Sequence, residues 1–168
     1  MGRFGRKKST LTLRQQALRA LARRDYSRAE LSRKLRGRDE ASPELDALLD
    51  EFEKSGWLSD ERFAGGAARQ RQGRFSQRHI VEDLKSRGVT AATARTAVDA
   101  LEQDDAATAL SLWRQRFGEP PANQKEKARQ VRFLQSRGFS LSIAFQVLKQ
   151  AGARVEDEDA GAGDDGDD

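Results

Sequence analysis

Apolar residues recur at intervals of three and four along nearly all of residues 11 to 152, and no run of alternating β-branched residues interrupts them. This pattern predicts an all-α chain. The first helix, about Thr12 to Arg23, places Leu13, Ala17, Leu18 and Leu21 on one face. Ser27 then offers its side-chain oxygen to the free N–H groups of a second helix, and Glu30 three residues on predicts a capping box. That helix carries Leu31 and Leu35 and ends at Gly37. Ser42-Pro43 supplies a cap and first helical position for a third, with a stripe of Leu45, Leu48, Leu49 and Phe52 that Gly56 stops.

Ser59 and Asp60 can cap a fourth helix running to about Gln72 and packing through Phe63, Ala64, Ala67 and Ala68. Its Gly65-Gly66 pair costs about 1 kcal/mol per glycine relative to alanine, which predicts close packing against a neighbour. Ser76 caps a fifth helix with Ile80, Val81 and Leu84, ended by Gly88, and Thr90 a sixth with Ala94, Ala97, Val98 and Leu101. A seventh, Asp105 to Phe117, uses Ala109, Leu110 and Trp113 and stops before Pro120-Pro121, since proline lacks an N–H. An eighth, Asn123 to Arg137, carries Val131, Phe133 and Leu134. The ninth, Ser140 to Gln150, carries Ile143, Val147 and Leu148.

Three junctions share an aromatic residue, a serine cap and apolar residues at plus five and plus nine: Tyr26-Ser27 with Leu31 and Leu35, Phe75-Ser76 with Ile80 and Leu84, Phe139-Ser140 with Ala144 and Leu148. Their unequal spacings, 49 and 64 residues, argue for divergent three-helix units rather than a strict solenoid. The expected architecture is three tandem three-helix repeats, residues 11–58, 59–103 and 104–152, in an elongated, curved array. A basic arm (1–10) and an acidic tail (153–168) flank them; both lack apolar anchors and are expected to be disordered.

Charge adds a partner class. Eight acids and no base occupy residues 156–168, so the other 155 residues hold 31 basic and 19 acidic side chains, net +12. Such a chain suits an anionic partner, nucleic acid or an acidic protein groove. The densest basic segment is Arg69, Arg71, Arg74, Arg78, Lys85 and Arg87; a second is Arg28, Arg33, Lys34 and Arg36. A third is Lys125, Lys127, Arg129, Arg132 and Arg137, with Arg114 and Arg116 nearby. These are the candidate partner-binding residues; the competing reading of any such run is an ordinary solvated face. The acidic tail either solubilises the chain or folds back on the basic face and competes with DNA.

No catalytic constellation emerges. Cysteine is absent, which removes disulfides, cysteine zinc sites and thiol nucleophiles. His79 is the single histidine, and neither a phosphate loop nor a dinucleotide fingerprint is present. Trp57, Phe63, Phe75, Trp113, Phe117 and Phe139 fall at helical spacing or at caps and are assigned to the core. The expectation is a non-enzymatic protein without cofactor or metal. No stretch approaches the roughly 20 apolar residues that span a bilayer, no apolar segment follows the basic N-terminus, and no heptad seam is visible, so a cytoplasmic monomer is expected.

Specific words in the sequence go further. Gly56-Trp57-Leu58-Ser59-Asp60-Glu61-Arg62-Phe63-Ala64, followed by Arg78-His79-Ile80 through Leu84 to Gly88-Val89, resembles the RecX family of bacterial RecA modulators. Lys127 to Gly138-Phe139-Ser140 and on to Val147-Leu148-Lys149 resembles that family's C-terminal repeat, and the likeness covers about residues 11–150. It implies a curved array lying in the groove of a RecA filament on DNA and restraining its ATP hydrolysis, strand exchange and co-protease activity. Single- and double-stranded DNA would be contacted weakly and without sequence preference. The alternative is a stand-alone helix-turn-helix DNA binder, with Ser76 to Arg87 as recognition helix and Gln77 and Arg78 at its exposed front.

Overall fold

The computed structural model describes residues 11–36 and 42–152; the expected basic arm, the Gly37 stop and the acidic tail lie outside the described residues. Among the described residues there are nine α-helices and no strand: α1 (Leu13–Leu21), α2 (Arg28–Leu35), α3 (Pro43–Lys54), α4 (Asp60–Arg71), α5 (Gln77–Ser86), α6 (Ala91–Asp99), α7 (Asp105–Arg116), α8 (Gln124–Ser136) and α9 (Leu141–Gln150).

Local chemistry starts every helix. Thr12, Ser27, Ser42, Ser59, Ser76, Thr90, Asp104, Asn123 and Ser140 each accept a hydrogen bond from an N–H in the first turn. Replacing such a cap by alanine costs about 1 kcal/mol. The capping box closes at Thr12 and Gln15 rather than at Ser27 and Glu30. Ser27 Oγ does accept from the Glu30 N–H at 3.1 Å, but the Glu30 carboxylate turns to Arg24 and Arg87.

The chain divides into two compact units, one ending at Gln103 and one beginning at Asp104. The N-terminal unit holds two hydrophobic clusters. One joins α1, α2 and α3 through Ala17, Leu31, Leu45, Leu49 and Phe52, with Leu58 closing it. The other joins α4, α5 and α6 through Phe63, Ala64, Ala68, Ile80, Leu84, Ala94 and Val98. Gln103 ties the α4–α5 turn to this second cluster: its amide accepts from Gly73 N at 2.8 Å and donates to the Phe75 carbonyl at 2.9 Å. The C-terminal unit has one cluster, built on Ala109, Trp113, Leu134, Ala144, Val147 and Leu148 from α7, α8 and α9, with Phe139 from the turn before α9. Its buried polar pair is satisfied internally, with Trp113 Nε1 donating to Gln130 Oε1 at 2.8 Å and Gln130 Nε2 to the Glu119 carbonyl at 3.2 Å.

Three further expectations are corrected. Phe139-Ser140 lies between the second and third helices of its group, whereas Tyr26-Ser27 and Phe75-Ser76 lie between the first and second, so the three junctions are not equivalent. The equivalent stretches are Leu84-Lys85-Ser86-Arg87-Gly88-Val89-Thr90 and Leu134-Gln135-Ser136-Arg137-Gly138-Phe139-Ser140, fifty residues apart. Both close α5 or α8 with the same pair of bonds: Gly88 N to Lys85 O and Val89 N to Leu84 O, Gly138 N to Gln135 O and Phe139 N to Leu134 O. Their glycines sit at φ +87° and +90°, the left-handed region where a side chain is strained.

Second, Trp57 is not in the core: it is 58% exposed, while Phe63, Trp113 and Phe139 are buried and Phe75 and Phe117 pack at core edges. Leu58, the next residue, takes the buried position at the end of α3. Third, no close packing explains Gly65-Gly66. A Cβ at Gly66 would meet nothing within 4 Å, and one at Gly65 only the flexible end of Arg69, at 3.4 Å. Gly65 instead opens on a groove of about 430 Å³ between α4 and α6.

Candidate functional site

The basic segments separate into arginines used inside the protein and cations facing outward. In the N-terminal unit, Arg87 is internal. Its Nε bonds Glu30 Oε1 at 2.7 Å, its guanidinium lies over the Phe63 ring at 4.5 Å, and its own carbonyl accepts the Ser27 hydroxyl at 2.6 Å. Residue 87 thereby links the three-helix group α4–α6 to α2 of the first group. Around it, Arg24 reaches the other Glu30 oxygen at 3.0 Å, Arg28 N donates to Asp60 Oδ1 at 2.7 Å, and Arg62 Nε pairs with Asp25 at 2.9 Å. The contact is close enough that a Cβ on Gly88 would stand 2.2 Å from Ala29 Cβ.

Glu30 is only 14% exposed. Burial pushes its carboxyl up, but hydrogen bonds and charge from Arg87 and Arg24 outweigh this and hold it below its ordinary value of 4.5. Burial also works against charge on Arg28, and is outweighed by Asp50 and Glu53, each 2.7 Å from its Nη1. Arg71 pairs with Asp83 at 3.0 Å, both partly buried. Lys85 pairs with Glu82 at 2.9 Å, and Arg36 lies 3.6 Å from Asp46. Arg69, Arg74 and Arg78 are exposed, as are Arg33 and Lys34, the latter 6.0 Å from the Tyr26 ring. Of the two helix-turn-helix readers, Arg78 faces solvent, but the Gln77 amide donates to the Gln103 carbonyl. His79 stacks on Phe75, ring centroids 4.5 Å apart.

The C-terminal unit differs. Among the described residues, Arg114, Arg116, Lys125, Lys127, Arg129 and Arg132 form no ion pair. Lys125, Arg129 and Arg132, spaced four and three apart, share one face of α8. Residues 104–152 carry eight basic side chains (these six, Arg137 and Lys149) against four acidic ones (Asp104, Asp105, Glu119, Glu126). Two of those acids have structural duties: Asp104 caps α7, and Glu126 accepts from Ala122 N at 2.8 Å. Aromatic rings lie beneath several cations. Arg129 is 6.0 Å from Phe117, which meets Phe133 edge-on at 5.4 Å, and Arg137 is 5.5 Å from Phe133. Lys127 Nζ lies 5.5 Å from the ring of Phe145.

Phe145, 46% exposed, and Leu141, 49% exposed, belong to the outer face of α9 and were not singled out in the sequence. The available signal was their position off the inward Ile143-Val147-Leu148 stripe. Among the described residues no group of three His, Cys, Asp or Glu side chains could hold a metal ion, and no helix is long and apolar enough to cross a membrane.

Comparison with known proteins gives the chain its relatives. The family described as "RecX, first three-helix domain" matches residues 14–52, and "RecX, third three-helix domain" matches residues 102–148. The chain is 40% identical over 149 residues to a protein of Ralstonia pickettii (strain 12J) named "Regulatory protein RecX", covering 89% of this chain and 94% of that one. It is 43% identical over 141 residues to the protein of the same name from Leptothrix cholodnii, covering 84% and 90%. The crystal structure of RecX from Lactobacillus salivarius shares the fold, with a TM-score of 0.67 at 17% identity over 83% of this chain and 94% of that one. Among the described residues, nine helices in three-helix groups, two of the groups matching RecX domains, and relatives this similar over most of their length place the chain in the RecX family of regulatory proteins.

Proposed function

We propose that this protein regulates the RecA recombinase: it binds the RecA filament on DNA and mainly inhibits its ATP hydrolysis, strand exchange and co-protease activity. Membership of the RecX family supports the class of activity. The observation that carries the DNA-facing part of the reading is the C-terminal unit's set of cations without ion pairs among the described residues. Arg114, Arg116, Lys125, Lys127, Arg129 and Arg132 meet the charge requirement of a nucleoprotein filament without first breaking an internal pair. Contact would be mainly with phosphates, hence weak in sequence preference. The exposed Arg69, Arg74 and Arg78 are further candidate contacts, and Arg71 and Arg87 also brace the fold through Asp83 and Glu30.

The test is DNA-dependent ATP hydrolysis by RecA with this protein added at substoichiometric and equimolar levels, beside DNA binding without RecA. Inhibition greater than competition for DNA explains is the expected result. Unchanged hydrolysis together with base-specific duplex binding would replace the proposal with the stand-alone helix-turn-helix reading, which is weakened by the internal bond of Gln77.

A further inference from the structure

Among the described residues the large exposed apolar side chains are Trp57, Leu141 and Phe145. Two of these three lie one helical turn apart on the outer face of α9. Nothing in the packing of the C-terminal unit requires them there, since Ala144, Val147 and Leu148 fill its core. Their surroundings are cationic. Lys127 Nζ lies 5.5 Å from the Phe145 ring, Lys149 follows Phe145 by one further turn, and α9 contains no acidic residue.

We propose that this face is a stacking site for an unpaired nucleobase, so that the C-terminal unit prefers single-stranded to duplex nucleic acid. Phe145 supplies the aromatic platform, Leu141 extends its apolar floor, and Lys127, whose Nζ lies over the ring 5.5 Å from its centroid, swings aside to join Lys149 on the flanking phosphates. An aromatic ring bordered by cations is the usual means of holding single strands without sequence preference, because every base has a π face. Duplex DNA gains little from the same face. Its bases are already stacked, so an exposed aromatic ring offers them no new stacking partner. The charge around the ring favours a polyanion over an apolar protein pocket. The inference deepens the proposed DNA contact but does not depend on RecA.

The experiment compares binding of the full chain to fluorescein-labelled oligo-dT and to its duplex with oligo-dA, across a salt series, for the wild-type protein, Phe145→Ala, Phe145→Trp and Lys127→Gln. Circular dichroism checks helicity in each. Phe145→Ala is expected to weaken oligo-dT binding about tenfold with an unchanged salt slope and little effect on duplex, while Phe145→Trp retains affinity. Lys127→Gln is expected to flatten the salt slope by about one phosphate contact. Equal losses on both DNAs, or no loss for Phe145→Ala, overturn the proposal. RecA ATP hydrolysis is scored separately: inhibition that survives Phe145→Ala without Phe145-dependent binding to oligo-dT removes this inference and leaves the proposed function standing.

Discussion

The two units of the chain use the same residue types in different ways. In the N-terminal unit, arginine does structural work: Arg87, Arg62 and Arg24 reach acids far along the chain or across a turn, and with Ser27 and Gly88 they join two small helical groups that have separate cores. In the C-terminal unit the core is single and includes a buried, internally bonded Trp113, and its cations rest over aromatic rings or face solvent. Arg87 and Arg137 follow the same Leu-x-Ser word and sit over Phe63 and Phe133, and Arg87 bonds a carboxylate 57 residues earlier. A basic run therefore reads as a binding surface only after the acids that could claim it have been located in space.

Breaking the junction of the N-terminal unit should show this contrast most strongly. Gly88→Ala combines a left-handed backbone with a Cβ placed 2.2 Å from Ala29, and is expected to cost about 3 kcal/mol. Hydrogen exchange checks it: protection should fall across α1–α6, with α7–α9 unaffected. Arg87→Ala comes next, at about 2 kcal/mol, because it removes a charged hydrogen bond and leaves Glu30 with Arg24 alone. Acid should reproduce part of this loss. The carboxyl of Glu30 is held below its ordinary value in the folded state, so its contribution is complete above about pH 4.5 and disappears as pH falls through the lower folded value. Urea titrations of wild type and Glu30→Gln should converge on acidification; parallel curves would remove Glu30 from the account. The smallest effect has the opposite sign. Gly66→Ala meets nothing within 4 Å and should stabilise α4 by about 1 kcal/mol, seen as a higher urea midpoint.

Local signals were legible in the sequence, and long-range ones were not. Helix starts are written in single side chains such as Ser42-Pro43, Ser76 and Asn123, so the starts of the nine helices among the described residues could be placed nearly to the residue. The repeat register was also present, in the two Leu-x-Ser-Arg-Gly words, but an aromatic-serine anchor matched the wrong helix in the third group. The braces at Arg87 and Arg71 were hidden among neighbouring basic residues. Glu30 belongs to another helical group, and Asp83 is linked to Arg71 only through the packing of α4 on α5. Trp57 reads as core from its spacing, but its neighbour Leu58 takes the buried position, and one residue decides which of the two turns inward.

The placement of the two tryptophans has a spectroscopic consequence. Trp113 is sealed in the C-terminal core with its indole N–H bonded to Gln130, whereas Trp57 stands in water in the N-terminal unit. The chain therefore carries a blue-emitting reporter in one unit and a red-emitting one in the other. A red shift in total emission during unfolding will mark the moment the C-terminal core admits solvent, whatever the N-terminal unit is doing. Quenching by iodide in the native state will fall almost entirely on Trp57, so each unit can be followed in the unlabelled protein.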